Sequence, residues 1–279
     1  MIKISAMIGA PELEKDTLAV YSGDLKKAFS KLAAQGYEGV ELMTKNPKKL
    51  DGGEIKRLLE ENSLVLTGLC TGHVYGEDKL SLVEPDPEIC KKAFNRFKEF
   101  IDFAEQYFGK ETIVNIGRVR GMGYSNDKKR TLDEMEKVFR ELADYAKPKG
   151  IRLVLEPITL QQTNYINTTQ DGIEMIERVN RSNFGLMLDV YHMNIEDDDI
   201  YESIRQAGDM CWFVHFTDDN RKYPGSAHLD FEKIIHTLYE IDYNGFVSME
   251  IMPWPDPDTA ARKSIEYLRK YIPKEVQED

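Results

Sequence analysis

The sequence has few cysteines, no long apolar run and no block of basic residues, and each absence excludes a class of protein. Its three cysteines, Cys70, Cys90 and Cys211, are odd in number and far apart, so neither a disulfide framework nor a thiolate metal cluster is expected. No apolar run reaches the roughly 18 residues that a membrane-spanning helix needs, and the amino terminus does not resemble a secretory signal. We therefore expect a cytoplasmic protein without a membrane partner.

The charge balance argues against nucleic acid as a partner. The chain carries 37 basic and 49 acidic residues in 279, a net charge of −12, and its basic residues are scattered. A surface that binds phosphate backbones is normally basic. Sequence repeats, low-complexity tracts and linkers are also missing, so we expect one domain over residues 1–279, with a loosely held tail at about 273–279.

What the sequence does contain is an alternation of short apolar runs with longer amphipathic stretches. The amphipathic stretches have apolar residues three and four apart, as helices do, and several end at a glycine. These glycines are Gly36, Gly109, Gly150 and Gly245. The predicted strands are Ile2–Met7, Gly39–Met43, Leu64–Cys70, Thr112–Ile116, Arg152–Glu156, Phe184–Asp189, Trp212–Thr217 and Phe246–Ile251. Eight such units predict an α/β protein with a closed parallel sheet, the (β/α)₈ TIM barrel.

Four consecutive predicted strands end in side chains that can bind a metal. They are Glu156, Asp189, His215 and Glu250. In barrels of this type, the functional residues lie at the carboxyl ends of the strands, where neighbouring strands are only about 4.8 Å apart. Three carboxylates and one imidazole favour Mn²⁺, Mg²⁺ or Co²⁺, with Zn²⁺ as a further candidate. The pattern therefore predicts a site for one divalent cation.

Longer segments around these residues resemble a known family. The segments VLEPI, GLMLDVYHMNIED, FVHFTDDNRKYPG and YNGFVSMEIMP resemble the carboxyl half of the xylose-isomerase-like sugar isomerases and epimerases. Within that superfamily they are most similar to the ketose 3-epimerases that act on D-tagatose and D-allulose. TGHVYGEDKLSL resembles the substrate loop of the same group, so the similarity extends from about Cys70 to Pro253.

The resemblance implies an activity and a role for each matching residue. It implies an isomerase that inverts C3 of a ketose through an enediolate, with one metal ion, commonly manganese, bound by the four residues above. Glu156 and Glu250 would also exchange the C3 proton, one on each side of the sugar. His192 and Arg221 would hold the C1 and C2 oxygens, and His73 lies in the expected substrate loop. A homodimer or homotetramer is implied as well.

The sequence departs from the ketose 3-epimerase pattern after the fifth predicted strand. The family usually has Asn, Arg and Glu where this chain has Thr159, Leu160 and Gln162. Gln162 can still form hydrogen bonds with a sugar but carries no charge. Loss of an acidic group would make room for an anionic substrate, such as a keto-uronate or a sugar phosphate. Arg118 and Arg120, which follow the fourth predicted strand, would then contribute positive charge.

Other functions are compatible with the same ligands. A 1,2-aldose–ketose isomerase of the hydroxypyruvate type and an inosose dehydratase would use similar metal chemistry. An abasic-site endonuclease is disfavoured, because it needs extra histidines on the early strands and this acidic chain has only His73 before residue 192. A barrel that binds a ligand without catalysis is the remaining alternative, and the intact glutamates argue against it.

Overall fold

Eight parallel strands form the centre of the molecule. The structure is a computed structural model that describes residues 1–14, 18–109 and 112–274. The barrel strands are β1 (Lys3–Gly9), β2 (Gly39–Met43), β3 (Val65–Cys70), β4 (Ile113–Ile116), β5 (Arg152–Leu155), β6 (Phe184–Asp189), β7 (Cys211–Phe216) and β8 (Phe246–Met249). Each strand pairs with the next, and β1 also pairs with β8, so the sheet closes on itself. The predicted (β/α)₈ barrel is confirmed.

Helices connect the strands and cover the outside of the barrel. Their first turns are mostly capped by an aspartate whose side chain accepts a backbone N–H, as at Asp24 and Asp230. The helices are α1 (Leu25–Gln35), α2 (Gly52–Glu61), α3 (Gly72–Gly76), α4 (Pro87–Tyr107), α5 (Lys128–Ala146), α6 (Thr169–Val179), α7 (Val190–Glu196), α8 (Ile200–Ala207), α9 (Phe231–Glu240) and α10 (Pro257–Leu268). Among the described residues, no helix combines the length and apolar character needed to cross a membrane.

Strand register places the functional side chains at one end of the barrel. In the β6–β7 pair, Asp189 lies directly opposite His215. In the β5–β6 pair, Leu155 lies opposite Leu186, so Glu156 follows at the same end. In the β7–β8 pair, Phe216 lies opposite Met249, which precedes Glu250. The four predicted ligands therefore reach the carboxyl end of the barrel together.

The boundaries of some elements differ from the predictions. Gly36 and Gly150 adopt the left-handed conformation after a helix, as expected, but α9 ends at Glu240 and Gly245 has no positive φ. The prediction that Gly245 caps the end of this helix is therefore wrong, because the helix ends several residues earlier. A two-residue strand at 21–22, which was not predicted, pairs with the end of β1. Of the predicted loose tail, residues 275–279 lie outside the described residues.

Candidate active site

Three side chains at the carboxyl end of the barrel could hold one metal ion. Glu156, Asp189 and His215 each offer a ligand atom, and these atoms all lie within 4.8 Å of one another. Asp189 and His215 are almost completely buried, whereas Glu156 retains 6% of its exposure. The three come from neighbouring strands, so the closed sheet itself holds their relative positions.

The orientation of His215 fits a metal ligand. Its Nε2–H donates to Glu41 Oε2 at 2.8 Å, across the barrel from β7 to β2. Because a carboxylate only accepts, this bond puts a proton on Nε2 and leaves Nδ1 to face the group. Nδ1 is buried, has no hydrogen-bond partner, and lies 3.6 Å from Glu156 Oε1. Nδ1 is thus a buried nitrogen that faces acidic oxygens without a hydrogen-bond partner. A divalent cation bound between Nδ1 and these oxygens would give it one.

The electrostatics of the group also favour a cation. Burial tends to raise the pKa of Glu156 and of Asp189. Interactions with His215 outweigh it at Glu156, and interactions with His192 and Arg221 outweigh it at Asp189, so both pKa values are lowered. Burial raises the pKa of Glu250, and the charges of Asp189 and Glu156 add to that rise. Carboxylates this close oppose one another's ionisation unless positive charge lies among them. An oxygen-rich set with one imidazole suits a hard or borderline divalent ion.

Glu250 lies beside this group but has a different partner. Its Oε2 is 3.8 Å from His215 Nδ1 and accepts a hydrogen bond from Arg221 Nη1 at 2.8 Å. The same guanidinium nitrogen lies 3.3 Å from Asp189 Oδ2. Arg221 therefore joins two of the predicted ligands, and Glu250 is not part of the three-residue group defined above. The guanidinium also stacks 3.8 Å from the Tyr191 ring.

The loop after β7 holds Arg221 in an unusual conformation. Arg221 has a φ of +60°, which is uncommon for a residue with a side chain. The buried carboxylate of Asp218 stabilises this loop by accepting the backbone N–H groups of Ala227, His228 and Leu229. Met252 N–H donates to the Arg221 carbonyl at 2.7 Å. Backbone strain that surrounding contacts maintain in this way is typical of functional sites.

His192 lies between the metal-binding group and the next loop. Thr159 N–H points at its Nδ1 at 3.3 Å, and Arg221 Nη2, which can only donate, lies 3.1 Å from its Nε2. Nε2 also lies 3.5 Å from Asp189 Oδ2. Burial lowers the pKa of His192. The ring is thus held between Thr159 and Arg221, and it lines the cavity described below.

Two residues of β4 and its loop position the Glu156 carboxylate. Asn115 Nδ2 donates to Glu156 Oε2 at 2.9 Å. Gly117 lies against the same oxygen, because a Cβ there would be only 2.6 Å away. A larger residue at 117 would displace the carboxylate, so glycine is required by close approach.

A cavity of about 400 Å³ opens above these residues. Glu156 and Glu250 line it, as do His192 and Arg221, whereas Asp189 and His215 lie behind its wall. Gln162 and His73 line it as well, so the structure brings these two predicted substrate contacts to the same space. His73 Nδ1 donates to Glu77 Oε1 at 3.0 Å, a bond within the substrate loop.

Arg120 occupies a different position from the one predicted. Its side chain is completely buried and is not part of the cavity wall. Nη1 donates to the carbonyls of Gly117 and Glu156, and Nη2 donates to those of Ile166 and Tyr165. With both terminal nitrogens bonded to the backbone, Arg120 holds two loops together instead of binding an anion. Arg118, two residues earlier, lines the cavity.

Two residues that organise the site, Glu41 and Asn115, were not predicted from the sequence. Both lie inside strands, whereas the predicted metal ligands are residues that end a predicted strand. A signal was present at Glu41, because an acid between Val40 and Leu42 in a fully buried strand needs a buried partner. Nothing in the sequence indicated that this partner would be His215.

Comparison with known proteins decides the family. The sequence profile described as xylose isomerase-like TIM barrel matches residues 29–271. The chain belongs to this family. Among curated relatives, it is 31% identical to D-psicose 3-epimerase of Ruminiclostridium cellulolyticum over 241 residues, covering 82% of this chain and 79% of the relative. It is 28% identical to L-ribulose 3-epimerase of Methylomonas sp. (strain DH-1), covering 90% and 94%.

Solved structures of the family agree with the fold. A crystal structure of D-allulose 3-epimerase from Methylomonas sp. superposes with a TM-score of 0.80 at 27% identity, covering 96% of this chain and 98% of that one. These relatives are named as epimerases, and the protein is accordingly an enzyme of the isomerase class, similar to ketose 3-epimerases.

Proposed function

We propose that the protein is a metal-dependent epimerase that inverts C3 of a ketose sugar. The observation that carries this proposal is that two of the four predicted ligands line the cavity and the other two do not. Glu156 and Glu250 line the cavity from strands that are separated by β6 and β7, whereas Asp189 and His215 lie behind the wall. Two glutamates that reach a bound sugar from different sides are what inversion of one carbon requires.

Each glutamate has a defined task in this reaction. One carboxylate removes the proton from C3 and the other delivers a proton to the opposite face. Asn115 keeps the Glu156 carboxylate oriented, and Arg221 does the same for Glu250. A single base would return the proton to the side it left, so the second glutamate is what turns proton exchange into epimerisation.

Asp189 and His215 would bind the cation together with the two glutamates, and Mn²⁺ is the ion we propose. When bound, the cation supplies positive charge next to the sugar oxygens that become negative in the enediolate. His192 and Arg221 would contact the C1 and C2 oxygens from the adjacent wall, and Gln162 and His73 complete the pocket.

The test is an assay in D₂O with EDTA-treated protein, before and after addition of MnCl₂. NMR would follow exchange at C3 and new sugar signals with D-fructose, D-tagatose, D-allulose and an inosose as substrates. We expect metal-dependent exchange and formation of the C3 epimer. Metal-dependent formation of an aldose would instead show a 1,2-isomerase, loss of water from an inosose would show a dehydratase, and either result would overturn C3 epimerisation.

Three further expectations stay predictions. They are a single domain over residues 1–279, assembly into a homodimer or homotetramer, and a cytoplasmic location. Light scattering on the purified protein measures the assembly, and a monomer would contradict it.

A further inference from the structure

Two cations that line the cavity form no ion pair with an acid of the described residues. Arg118 and Lys79 both line the cavity. The Arg118 guanidinium lies 5.2 Å from the centre of the Tyr75 ring, and Lys79 Nζ lies 5.9 Å from the same point. Arg118 Nε is buried without a hydrogen-bond partner, and Lys79 Nζ donates only to the Gly76 carbonyl among the described residues. Both side chains therefore retain donors for a ligand.

The two acids that precede Lys79 in the chain are bonded elsewhere. Glu77 Oε2 pairs with Lys45 at 2.6 Å, and Asp78 Oδ2 pairs with Arg96 at 2.9 Å. In the described part of the chain, no ion pair joins Arg118 or Lys79 to a carboxylate. The exposed Lys79 needs no partner, but the buried Nε of Arg118 lacks one, and an anionic group of a ligand would supply it.

The position of Arg118 relates this charge to the reacting carbons. Arg118 directly follows Gly117, against which the Glu156 carboxylate packs. Arg221 lies on the loop after β7 and contacts Asp189 and Glu250. A sugar held by Arg221 and His192 near the metal-binding group would extend toward Arg118 and Lys79 with its other end.

We propose that the natural substrate is an acidic keto sugar whose carboxylate or phosphate binds Arg118 and Lys79. This inference rests on the proposed function and specifies its substrate class. The planar guanidinium can bind two oxygens of either anion at once, and the Lys79 ammonium adds a second positive charge. Of the two arginines first expected to supply this positive charge, Arg118 keeps the role and Arg120 does not, and Lys79 from the substrate loop joins Arg118.

Binding without turnover provides the first test. Titration calorimetry on EDTA-treated protein would compare D-fructuronate, D-fructose 6-phosphate and neutral D-fructose at matched ionic strength. We expect one anionic sugar to bind more tightly than D-fructose, and the one that binds identifies the anion as carboxylate or phosphate. Arg118→Met should weaken that binding about tenfold to a hundredfold and leave D-fructose unaffected. Equal affinity for all three sugars would overturn the proposal.

Turnover with manganese provides the second test. Arg118→Met should raise KM for the acidic sugar much more than it raises KM for neutral ketoses, whereas Arg118→Lys should recover part of the loss. Lys92→Met, on an exposed part of α4, is the matched control for loss of one positive charge. Equal loss for neutral and acidic sugars would contradict the proposal while leaving the epimerase function intact. Arg118-dependent binding of an anionic sugar without any C3 exchange would support the anion site and contradict the epimerase function.

Discussion

The two halves of the barrel supply different groups to one cavity. The strands β5–β8 end in the predicted ligands Glu156, Asp189, His215 and Glu250. The strands β1–β4 and their loops supply Glu41 and Asn115, which orient two of those side chains. They also supply Arg118, which lines another part of the cavity. In the proposed reaction, the carboxyl half thus provides the reactive groups, and the amino half provides residues that orient them and charge the pocket.

The largest effect should come from the two glutamates of the carboxyl half. Glu156→Gln and Glu250→Gln each remove a proton-transfer group, so each should lower the rate of epimerisation about 100- to 10,000-fold. Exchange of the C3 proton in D₂O, measured by NMR from both epimers, checks this. Glu232→Gln on the exposed face of α9 serves as the control. Full exchange from both epimers in both variants would contradict the two-base scheme.

A large effect on stability should come from Arg120 in the amino half. Burial lowers the pKa of Arg120 to about 10, so it stays charged at neutral pH and binds four backbone carbonyls. Arg120→Met leaves these carbonyls without their donor and should cost about 3 to 5 kcal/mol in the free energy of unfolding. The melting temperature should fall on the order of 10 °C.

Arg118→Met is the matched variant for this prediction, because Arg118 lies only two residues away. We expect it to change substrate selectivity with little change in melting temperature. A similar loss of stability in both variants would show that the two arginines do not have the separate roles assigned to them.

An intermediate effect should come from Glu41, which connects the two halves. Removal of its carboxylate leaves His215 without the bond that orients its ring, so Glu41→Ala should weaken Mn²⁺ binding about 10- to 100-fold. Glu41→Gln keeps an acceptor for Nε2–H and should recover part of this loss. Electron paramagnetic resonance of free Mn²⁺ during titration measures the affinity. Unchanged affinity in Glu41→Ala, with the fold intact by circular dichroism, would contradict the role of Glu41.

The smallest effect should come from Glu77 in the substrate loop. Burial tends to raise the pKa of Glu77, but the hydrogen bond with Lys45 outweighs it and lowers the pKa to about 2. A lowered pKa means that the ionised form stabilises the fold above about pH 4.5, and that this contribution declines as the pH falls toward 2. Wild type should therefore melt above Glu77→Gln at pH 6, with a smaller difference at pH 3. A difference that does not depend on pH would contradict this assignment.

The carboxyl half could be predicted from the sequence more fully than the amino half. In β5–β8 each predicted ligand ends an apolar run, so strand periodicity alone placed it at the carboxyl end of the barrel. In β1–β4 the same reasoning found the strands but not the roles of Glu41 and Asn115, because these residues lie within strands and act on partners far away in the sequence. Arg118 and Arg120 lie in the same turn after β4. Their spacing in the sequence does not reveal that Arg118 faces the cavity and Arg120 is buried.

The sequence by itself determined the eight strands, the parallel barrel and the residues at the strand ends, because these follow from local periodicity and from the alternation of strands with helices. The tertiary structure decided the hydrogen bond between Glu41 and His215, the burial of Arg120 and the exposure of Arg118 in the cavity. Each of these depends on contacts between residues from different strands and loops. Such contacts form only when the sheet closes, so side-chain direction and partner choice are properties of the closed barrel.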